Sequence, residues 1–259
     1  MGRFQETIKK GLISAMRLIS WNCSQAFRKK AARLIELKPD VIVVPECENP
    51  AVCKSRGWLD GCTAWKWVGA DNNRGLGIFF YHEVEIQDCC WFDPEIKLIK
   101  PYTVRDNHTE YVIIPVYANN RNMLEFRYIG QVWKFLEKYQ DRLSENETLM
   151  VGDFNSNAIW DKPRRLWNHS HIVNILRQHK MESLYHHHNN IEQGKEHEKT
   201  LYFHKKQGNG YHIDYIFGSP LFRDSLVNLT IGNYEDWIDL SDHCPIICDF
   251  DSTKLRSIA

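Results

Sequence analysis

The chain has 259 residues, and its 33 Lys and Arg residues balance 33 Asp and Glu residues, so the formal net charge is zero. A chain of this length can bury most of the surface that its unfolded form exposes, as one large α/β domain or two small ones. We expect a single domain over residues 16–259, because no Pro-, Gly- or Ser-rich linker interrupts it. Proteins that grip duplex DNA through its phosphates usually carry a basic excess, so the neutral total disfavours a broad duplex-binding surface but permits a local basic patch.

The cysteines and the N-terminus suggest a cytoplasmic protein. The eight cysteines form no CxxC pair and no zinc-finger spacing, and several lie in apolar runs where a thiol simply packs. Reduced thiols are therefore expected. The sequence contains no run of 18 apolar residues and no apolar core of a signal peptide. Residues 1–15 form a polar leader, which would be dispensable if Met16 served as an alternative start.

The first half of the chain after the leader predicts several strands and one helix. Apolar residues recur at helical spacing from Phe27 to Ile35, which predicts an amphipathic helix that ends at Pro39. Residues 72–74 predict a hairpin turn. Near-continuous apolar and β-branched runs predict buried strands. These strands cover residues 16–22, 41–44 (followed by Glu46), 75–80 and 111–117.

The second half continues with both helices and strands. Apolar positions from 129 to 143 predict an amphipathic helix, and a β-branched and aliphatic run predicts a strand that leads into Asp153. A Trp- and Arg-rich segment follows, then a short helix and a polar His-rich loop. The last predicted helix covers residues 172–176, and the last predicted strands cover 212–217, 226–231 and 245–250.

Oxygen-bearing side chains end or follow several of these strands. They are Asn22, Glu46, Asp153, Asn155 and Asp242. Carboxylate and amide oxygens are the ligands that hard Mg²⁺ prefers. Because strand ends in a sandwich of sheets can meet, these side chains predict one preorganised metal site. Such a site suits phosphoryl transfer, which needs a divalent cation, an oriented water and neutralisation of the leaving oxygen.

An imidazole stands beside the last of these carboxylates. His243 follows Asp242, and Asp214 could hold its other ring nitrogen, which would fix the tautomer and favour the charged imidazole beside a phosphate. Strand alternation would place His212 on the same face as Asp214, with Ile213 on the opposite face. This pattern predicts that His212 and Asp214 both face the cleft.

Five short phrases carry a resemblance to a known family. They are SWN ending at Asn22, PE ending at Glu46, GDFN at 152–155, HIDYIF around Asp214 and SDH at 241–243. In this order they resemble the endonuclease/exonuclease/phosphatase superfamily, which includes DNase I-like nucleases, abasic-site endonucleases, deadenylases, inositol-polyphosphate phosphatases and neutral sphingomyelinases. The resemblance spans nearly the whole chain. It implies a four-layered α/β sandwich, with two mostly antiparallel sheets packed face to face and helices outside.

The resemblance also implies roles for individual residues. It implies a Mg²⁺ ion, for which Mn²⁺ could substitute, held chiefly by Glu46 with Asn22 and Asp242 nearby. Asp153 would orient or deprotonate the attacking water, and Asn155 would contact the scissile phosphate.

The remaining roles depend on imidazole groups. His243, backed by Asp214, would bind the phosphate as a base or as an electrostatic stabiliser. Many relatives carry a second imidazole at the end of a central strand, where this chain has residues 114–120 instead. Tyr117 or Asn119 could take that place, and the group that protonates the leaving oxygen stays unassigned.

Two other segments have competing interpretations. Trp160, Arg164, Arg165 and Trp167 alternate aromatic and basic side chains after GDFN. They could stack on nucleotides, or the tryptophans could anchor the segment to the domain. The run of histidines at 186–188 suggests zinc, but consecutive histidines cannot all face one ion in a regular element, so a solvated loop is favoured.

These observations predict a Mg²⁺-dependent phosphoesterase, with a nuclease acting on DNA or RNA phosphodiesters as the first hypothesis. The alternative substrate is a small phosphorylated metabolite, a signalling nucleotide or a lipid head group, which the neutral charge favours modestly. A catalytically silent scaffold of the same fold is a third hypothesis. Fold alone does not decide the substrate, and the sequence predicts no protein partner.

Overall fold

The computed structural model describes residues 15–53, 57–106, 109–120 and 126–256. Apart from Ala15, the predicted leader lies outside the described residues. The strands in chain order are β1 (Ala15–Ser20), β2 (Val41–Cys47), β3 (Ala64–Asp71), β4 (Arg74–Phe80), β5 (Glu85–Asp88), β6 (Tyr102–Arg105), β7 (Glu110–Tyr117), β8 (Thr148–Asp153), β9 (Glu182–Ser183), β10 (Leu201–Tyr202), β11 (Gly210–Tyr211), β12 (Asp214–Gly218), β13 (Leu226–Ile231) and β14 (Ile246–Asp251).

Seven α-helices and four short 3₁₀ helices lie among the described residues. The α-helices are α1 (Ala31–Ile35), α2 (Ile129–Tyr139), α3 (His169–Gln178), α4 (Leu184–Asn189), α5 (Pro220–Ser225), α6 (Tyr234–Trp237) and α7 (Ser252–Leu255). The 3₁₀ helices are Phe27–Lys29, Gln140–Ser144, Ala158–Trp160 and Phe203–Lys205. None of the described helices is long and apolar enough to cross a bilayer.

The strands form two six-stranded sheets and one small hairpin sheet. The first sheet has the order β13-β14-β1-β2-β4-β3, and the second has the order β5-β6-β7-β8-β12-β9. Strands β10 and β11 pair separately. Neighbouring strands run antiparallel except for β1 with β2 and β7 with β8. The predicted sandwich of two mostly antiparallel sheets is confirmed.

The apolar interior consists of two clusters of buried side chains. One cluster of buried side chains joins the sheets, with Leu18 and Val43 from the first and Ile113 and Val151 from the second. A second cluster lies between the second sheet and helices α2 and α3. It includes Ile114, Met150 and Phe217 from the sheet and Val132, Phe135, Ile172 and Leu176 from the helices. Burial of these side chains is the main force that fixes the layers.

Three local predictions differ from the structure. The helix predicted from Phe27 is divided into a 3₁₀ turn and the five-residue α1. The predicted His-rich loop contains α4, because Leu184 and Tyr185 are buried and anchor a helical turn. The strand predicted from His212 begins only at Asp214.

Candidate functional site

Three side chains of the second sheet lie side by side at one end of neighbouring strands. Tyr117 at the end of β7 pairs with Asp153 at the end of β8, and Asp153 pairs with Asp214 at the start of β12. Gly152 precedes Asp153 with a φ of 141°. A Cβ atom at Gly152 would lie 2.1 Å from the carbonyl oxygen of Val116, so the close approach of β7 and β8 requires glycine in the GDFN phrase.

The first sheet contributes Glu46 through an irregularity in β2. The pairing of β2 with β4 shifts register between Pro45 and Cys47, so Glu46 is the extra residue of a bulge. Its φ of 65° lies in the left-handed region. The Glu46 carboxylate reaches the second sheet, where the hydroxyl of Tyr117 donates to its Oε1 atom at 2.9 Å. The bulge therefore places a carboxylate of the first sheet at the site.

Asn22 bridges the two carboxylates of the opposite sheets. Its Nδ2 atom donates to Asp153 Oδ2 at 2.9 Å and lies 3.4 Å from Glu46 Oε1. Its Oδ1 atom accepts a hydrogen bond from the backbone N–H of Ser24 at 3.0 Å. Asn22 thus contacts acids of both sheets, and its Oδ1 atom keeps one lone pair beyond the hydrogen bond from Ser24.

Asp153 is fully buried and held by several donors. Besides Asn22, the backbone N–H of Asn155 donates to Oδ1 at 2.8 Å and the Asn155 side chain donates to Oδ2 at 3.0 Å. Burial, followed by repulsion from Asp214, raises the pKa of Asp153 above the ordinary value of an aspartate. A carboxylate with a raised pKa binds a proton more strongly, which is the property required of a proton acceptor.

His243 and Asp214 form a buried pair next to Asp153. The Nδ1 atom of His243 lies 2.9 Å from Asp214 Oδ2. Burial alone would lower the pKa of His243, but the carboxylates of Asp214, Asp153 and Asp242 outweigh it and raise that pKa to about 10. The indole N–H of Trp21 donates to the His243 carbonyl at 2.8 Å and fixes the backbone. The neighbouring carboxylates therefore favour the protonated imidazole.

The donor set fits a hard divalent cation. Ligand atoms of Asp153, Asp214 and His243 all lie within 4.8 Å of one another, and they form the one such cluster among the described residues. A protonated imidazole has no lone pair for a metal, so the carboxylates are the better ligands. Asp214 Oδ1 is buried without a hydrogen-bond partner in the described part of the chain. Glu46 adjoins this cluster through Asn22, and Asp242 is half-buried and precedes His243 in the chain.

Thr200 contributes to the site although no sequence pattern pointed to it. Its side chain is fully buried, and its Oγ1 atom accepts hydrogen bonds from the backbone N–H groups of Ile213 at 3.0 Å and Asp214 at 3.1 Å. Its carbonyl oxygen accepts from the N–H of Cys244 at 2.8 Å. One residue thus ties the start of β12 to the segment that carries His243.

Arg74 is a second residue that the sequence did not predict to be part of the site. Residues 72 and 73 form the predicted turn between β3 and β4. The Arg74 side chain turns toward the site, and its Nη2 atom lies 2.5 Å from Glu46 Oε1. The sequence feature that could have pointed to Arg74 is its positive charge, because the other residues of β4 are glycine or apolar.

The aromatic and basic segment after GDFN serves two purposes. Trp167 packs against Phe126 and Trp133, with ring centroids 4.9 and 5.9 Å away. Trp160 is 39% exposed and contacts the ring of Tyr211 at 5.0 Å. Arg164 is exposed. The segment is therefore anchored at Trp167 and presents Trp160 and Arg164 to solvent.

Asn119 and His212, two predicted substrate-binding residues, are buried. The backbone carbonyl of Asn119 accepts from the N–H of Tyr128 at 3.0 Å. The imidazole of His212 lies 4.4 Å from the ring of Tyr185, between centroids, and its Nδ1 atom donates to the carbonyl oxygen of Glu198 at 3.0 Å. β12 begins after His212, so the strand alternation that predicted its orientation does not extend to it.

The run of histidines does not form a metal site among the described residues. His186 is buried and bonded through its two ring nitrogens to Ser183 Oγ at 2.7 Å and Glu196 Oε1 at 3.0 Å. His187 and His188 are exposed. The three side chains diverge on α4, as the helical geometry requires.

No family profile matches the sequence. No curated protein sequence matches it either. Solved structures do share its fold. An AP endonuclease from Archaeoglobus fulgidus superposes with a TM-score of 0.65 at 16% identity, over 91% of this chain and 99% of that one. The AP endonuclease LMAP from Leishmania major superposes with a TM-score of 0.67 at 13% identity, over 92% of this chain and 88% of that one. The 3′-5′ exonuclease NExo from Neisseria meningitidis superposes with a TM-score of 0.65 at 18% identity, over 91% of this chain and 100% of that one. The chain therefore has the DNase I-like fold.

Proposed function

We propose that this protein is a Mg²⁺-dependent phosphoesterase that hydrolyses phosphodiester bonds of DNA or RNA. The observation that carries the proposal is the convergence of Asp153, the Asp214–His243 pair and Glu46 around Asn22. Buried acids, a charged imidazole and a further carboxylate are the groups that metal-assisted attack of water on a phosphate requires. The fold neighbours named as AP endonucleases and as an exonuclease support the same reaction class.

In the proposed reaction, Asp153 accepts a proton from a water molecule, whose oxygen attacks phosphorus as the bond to the leaving oxygen breaks. The hydrogen bonds from Asn22 and Asn155 hold the Asp153 carboxylate in one orientation. In its ionised form, Asp153 is a stronger base than an ordinary aspartate because its pKa is raised. Asn155 is half-buried beside it and would orient the scissile phosphate.

His243 stabilises the negative charge that develops on the phosphoryl oxygens. Because Asp214 holds Nδ1, the Nε2 N–H of the charged imidazole is the group that would meet a phosphate. We assign His243 this electrostatic role, since a group with its pKa raised to about 10 is a poor base at neutral pH.

Glu46 and Asp242 would hold the Mg²⁺ ion, for which Mn²⁺ could substitute. When bound, the ion polarises the phosphoryl oxygens and neutralises charge on the leaving oxygen. The contacts of Asn22 make it an orienting residue for Glu46 and Asp153 in this proposal. Tyr117 contributes a hydroxyl at the same carboxylate.

A small phosphoester is the second candidate substrate. The formal net charge of zero favours it, because a small anion needs only a few local cations, whereas long duplex binders usually show a basic excess. Exposed Trp160 and Arg164 favour the polymer, since an aromatic surface beside basic groups suits base stacking.

We further propose that residues 16–259 act as one domain in the cytoplasm. All eight cysteines are free thiols, which agrees with a reducing compartment.

The test is hydrolysis of labelled single- and double-stranded DNA and RNA, with Mg²⁺, with Mn²⁺ or with EDTA. The Asp153→Asn protein is the control for contaminating nucleases. Cleavage that requires both the metal and Asp153 would support the nuclease and identify its polymer. If folded protein cleaves none of the four polymers but hydrolyses small phosphoesters, the second candidate replaces the first.

A further inference from the structure

Arg74 begins β4 at the edge of the site and contacts two of its side chains. Its Nη2 atom lies 2.5 Å from Glu46 Oε1, and its Cζ atom lies 5.8 Å from the centroid of the Tyr117 ring. The Arg74 side chain is 23% exposed. The guanidinium is therefore largely buried between Glu46 and Tyr117 but keeps some contact with solvent.

The guanidinium retains unused hydrogen-bonding capacity in this position. Its Nε atom is buried and has no hydrogen-bond partner within the described ranges. A buried donor without a partner is unfavourable, and an incoming acceptor would relieve that cost. Phosphate oxygens match the planar fork of a guanidinium better than other common acceptors. The structure thus leaves a phosphate-binding group unsatisfied beside the proposed metal ligand.

The pairing with Glu46 does not use up the carboxylate. Asn22, Tyr117 and Arg74 all approach the same oxygen, Oε1. No described residue donates to Oε2. A divalent cation can therefore bind Oε2 while Arg74 keeps its contact with Oε1. A cation on Oε2 and the guanidinium on Oε1 would both attract an anionic phosphate that binds beside Glu46.

We propose that Arg74 is a substrate-binding residue that donates a hydrogen bond to a non-bridging phosphate oxygen of the nucleic-acid strand. The inference rests on the proposed function, because it names a contact made in the same site. It differs from a purely structural role, in which Arg74 would only hold Glu46 in place. The two roles predict different effects of an Arg74 substitution on nucleic-acid affinity and on the dependence of that affinity on salt.

The experiment compares binding in the Asp153→Asn background, where the proposed water activator is removed. Short fluorescein-labelled single- and double-stranded DNA and RNA are titrated with protein in Mg²⁺ at several salt concentrations, and fluorescence anisotropy is recorded. We expect Arg74→Gln to weaken binding about tenfold, the effect of about 1.4 kcal/mol. The slope of log affinity against log salt should become shallower by about 0.7 to 0.9, the loss of one phosphate contact.

Two further variants make the comparison specific. Arg74→Lys keeps the positive charge but loses the planar guanidinium fork. The slope of log affinity against log salt should therefore stay unchanged while the affinity falls. Arg105→Gln is the matched control, because Arg105 pairs with Glu110 at the end of β6 and β7 that is opposite to Tyr117. Arg105→Gln should change neither affinity nor slope.

Titration calorimetry with Mn²⁺ adds a readout that is independent of the nucleic acid. If Arg74→Gln retains full affinity and slope for the strand, the phosphate contact is overturned, and tighter Mn²⁺ binding by that variant would show that Arg74 competes with the metal for Glu46. If the Asp153→Asn parent binds none of the four polymers, the nucleic-acid substrate itself is wrong and the contact is overturned with it. Unchanged strand binding by Arg74→Gln would leave the proposed function intact. No binding by the Asp153→Asn parent would overturn the proposed function as well.

Discussion

Nδ1 of His243 and Oδ2 of Asp214 are 2.9 Å apart, and both side chains are almost completely excluded from solvent. Asp214 begins β12 of the second sheet, whereas His243 lies in the segment that precedes β14 of the first sheet. A buried imidazolium is stable here because the carboxylate compensates for lost hydration. The pair therefore sets both the charge and the direction of the imidazole.

Replacement of Asp214 by Asn should reduce turnover while preserving the shape of the pair. Burial favours the neutral imidazole of His243, and attraction to Asp214 is the strongest effect that opposes burial, so loss of the carboxylate lowers the pKa of His243. We expect kcat to fall by about 100-fold or more, the scale of a lost charge-stabilising group. Steady-state kinetics with NMR titration of the imidazole check this, and an unchanged kcat would remove the pair from the mechanism.

Gly152→Ala should destabilise the protein and abolish activity. The new Cβ would lie 2.1 Å from the Val116 carbonyl oxygen, at a backbone φ of 141°. Steric overlap and backbone strain together should cost more than about 3 kcal/mol in the free energy of unfolding. Gly208→Ala is the control, because no atom lies within 4 Å of its added Cβ. Urea denaturation of both variants decides, and equal stabilities would contradict the steric argument.

Thr200→Val should lower activity more than Thr200→Ser. Valine has nearly the shape of threonine but cannot accept hydrogen bonds from the N–H groups of Ile213 and Asp214. Two buried donors without an acceptor should cost about 1 to 3 kcal/mol each. Serine keeps the acceptor, so its kcat should stay close to wild type. Equal kcat values for the two variants would show that Thr200 only fills space.

Trp160→Ala and Trp167→Ala should separate binding from stability. Trp160 is exposed, so its loss should weaken single-strand binding by about 1 to 3 kcal/mol with little change in Tm. Trp167 packs against Phe126 and Trp133, so its loss should lower Tm instead. Anisotropy and thermal melts on both proteins provide the comparison. The anchor interpretation would be wrong if Trp167→Ala melted like wild type.

The buried pair of Glu196 and His186 should give a stability that depends on pH. Burial opposes the charged carboxylate, but hydrogen bonds from His186 and the Gly194 N–H outweigh it and lower the pKa of Glu196 from 4.5 to about 2. The depressed pKa contributes stability above the unfolded value, and this contribution disappears as the pH falls through the folded value. Its upper limit is about 3 kcal/mol at neutral pH.

Comparison of Glu196→Gln with wild type tests this contribution. The difference in the free energy of unfolding should be largest near neutral pH and should shrink between about pH 4.5 and pH 2. Glu192→Gln, at an exposed position nearby, should show no such trend. A difference that stays constant with pH would exclude ionisation of Glu196 as its source.

The sequence was sufficient for eight of the fourteen strands, and it missed β3, β5 and β6 and the two-residue strands β9, β10 and β11. Continuous apolar runs predicted β2, β7 and β8, because both faces of these strands are buried. Asp153 and Glu46 stood out for the same reason, as acids directly after or within such runs. The ordered phrases supplied the sandwich, which periodicity alone could not.

The remaining features depend on contacts between distant parts of the chain. Arg74 reaches Glu46 across the β2–β4 bulge, and Thr200 joins segments around 213 and 244, so no local pattern indicates either role. The orientation of His212 depended on where β12 begins. Strand propensity does not predict the first residue of a strand to within two positions. Tertiary packing, rather than local preference, decided these cases.

The bridge made by Asn22 has a consequence for how this protein would lose function. Its one amide nitrogen spans acids that belong to opposite sheets, with contacts of 2.9 and 3.4 Å. A small sliding movement between the sheets would therefore break the bridge while every strand stayed intact. Hydrolysis would then report on the alignment of the two halves, and chains with a loosened interior could be inactive well before they melt.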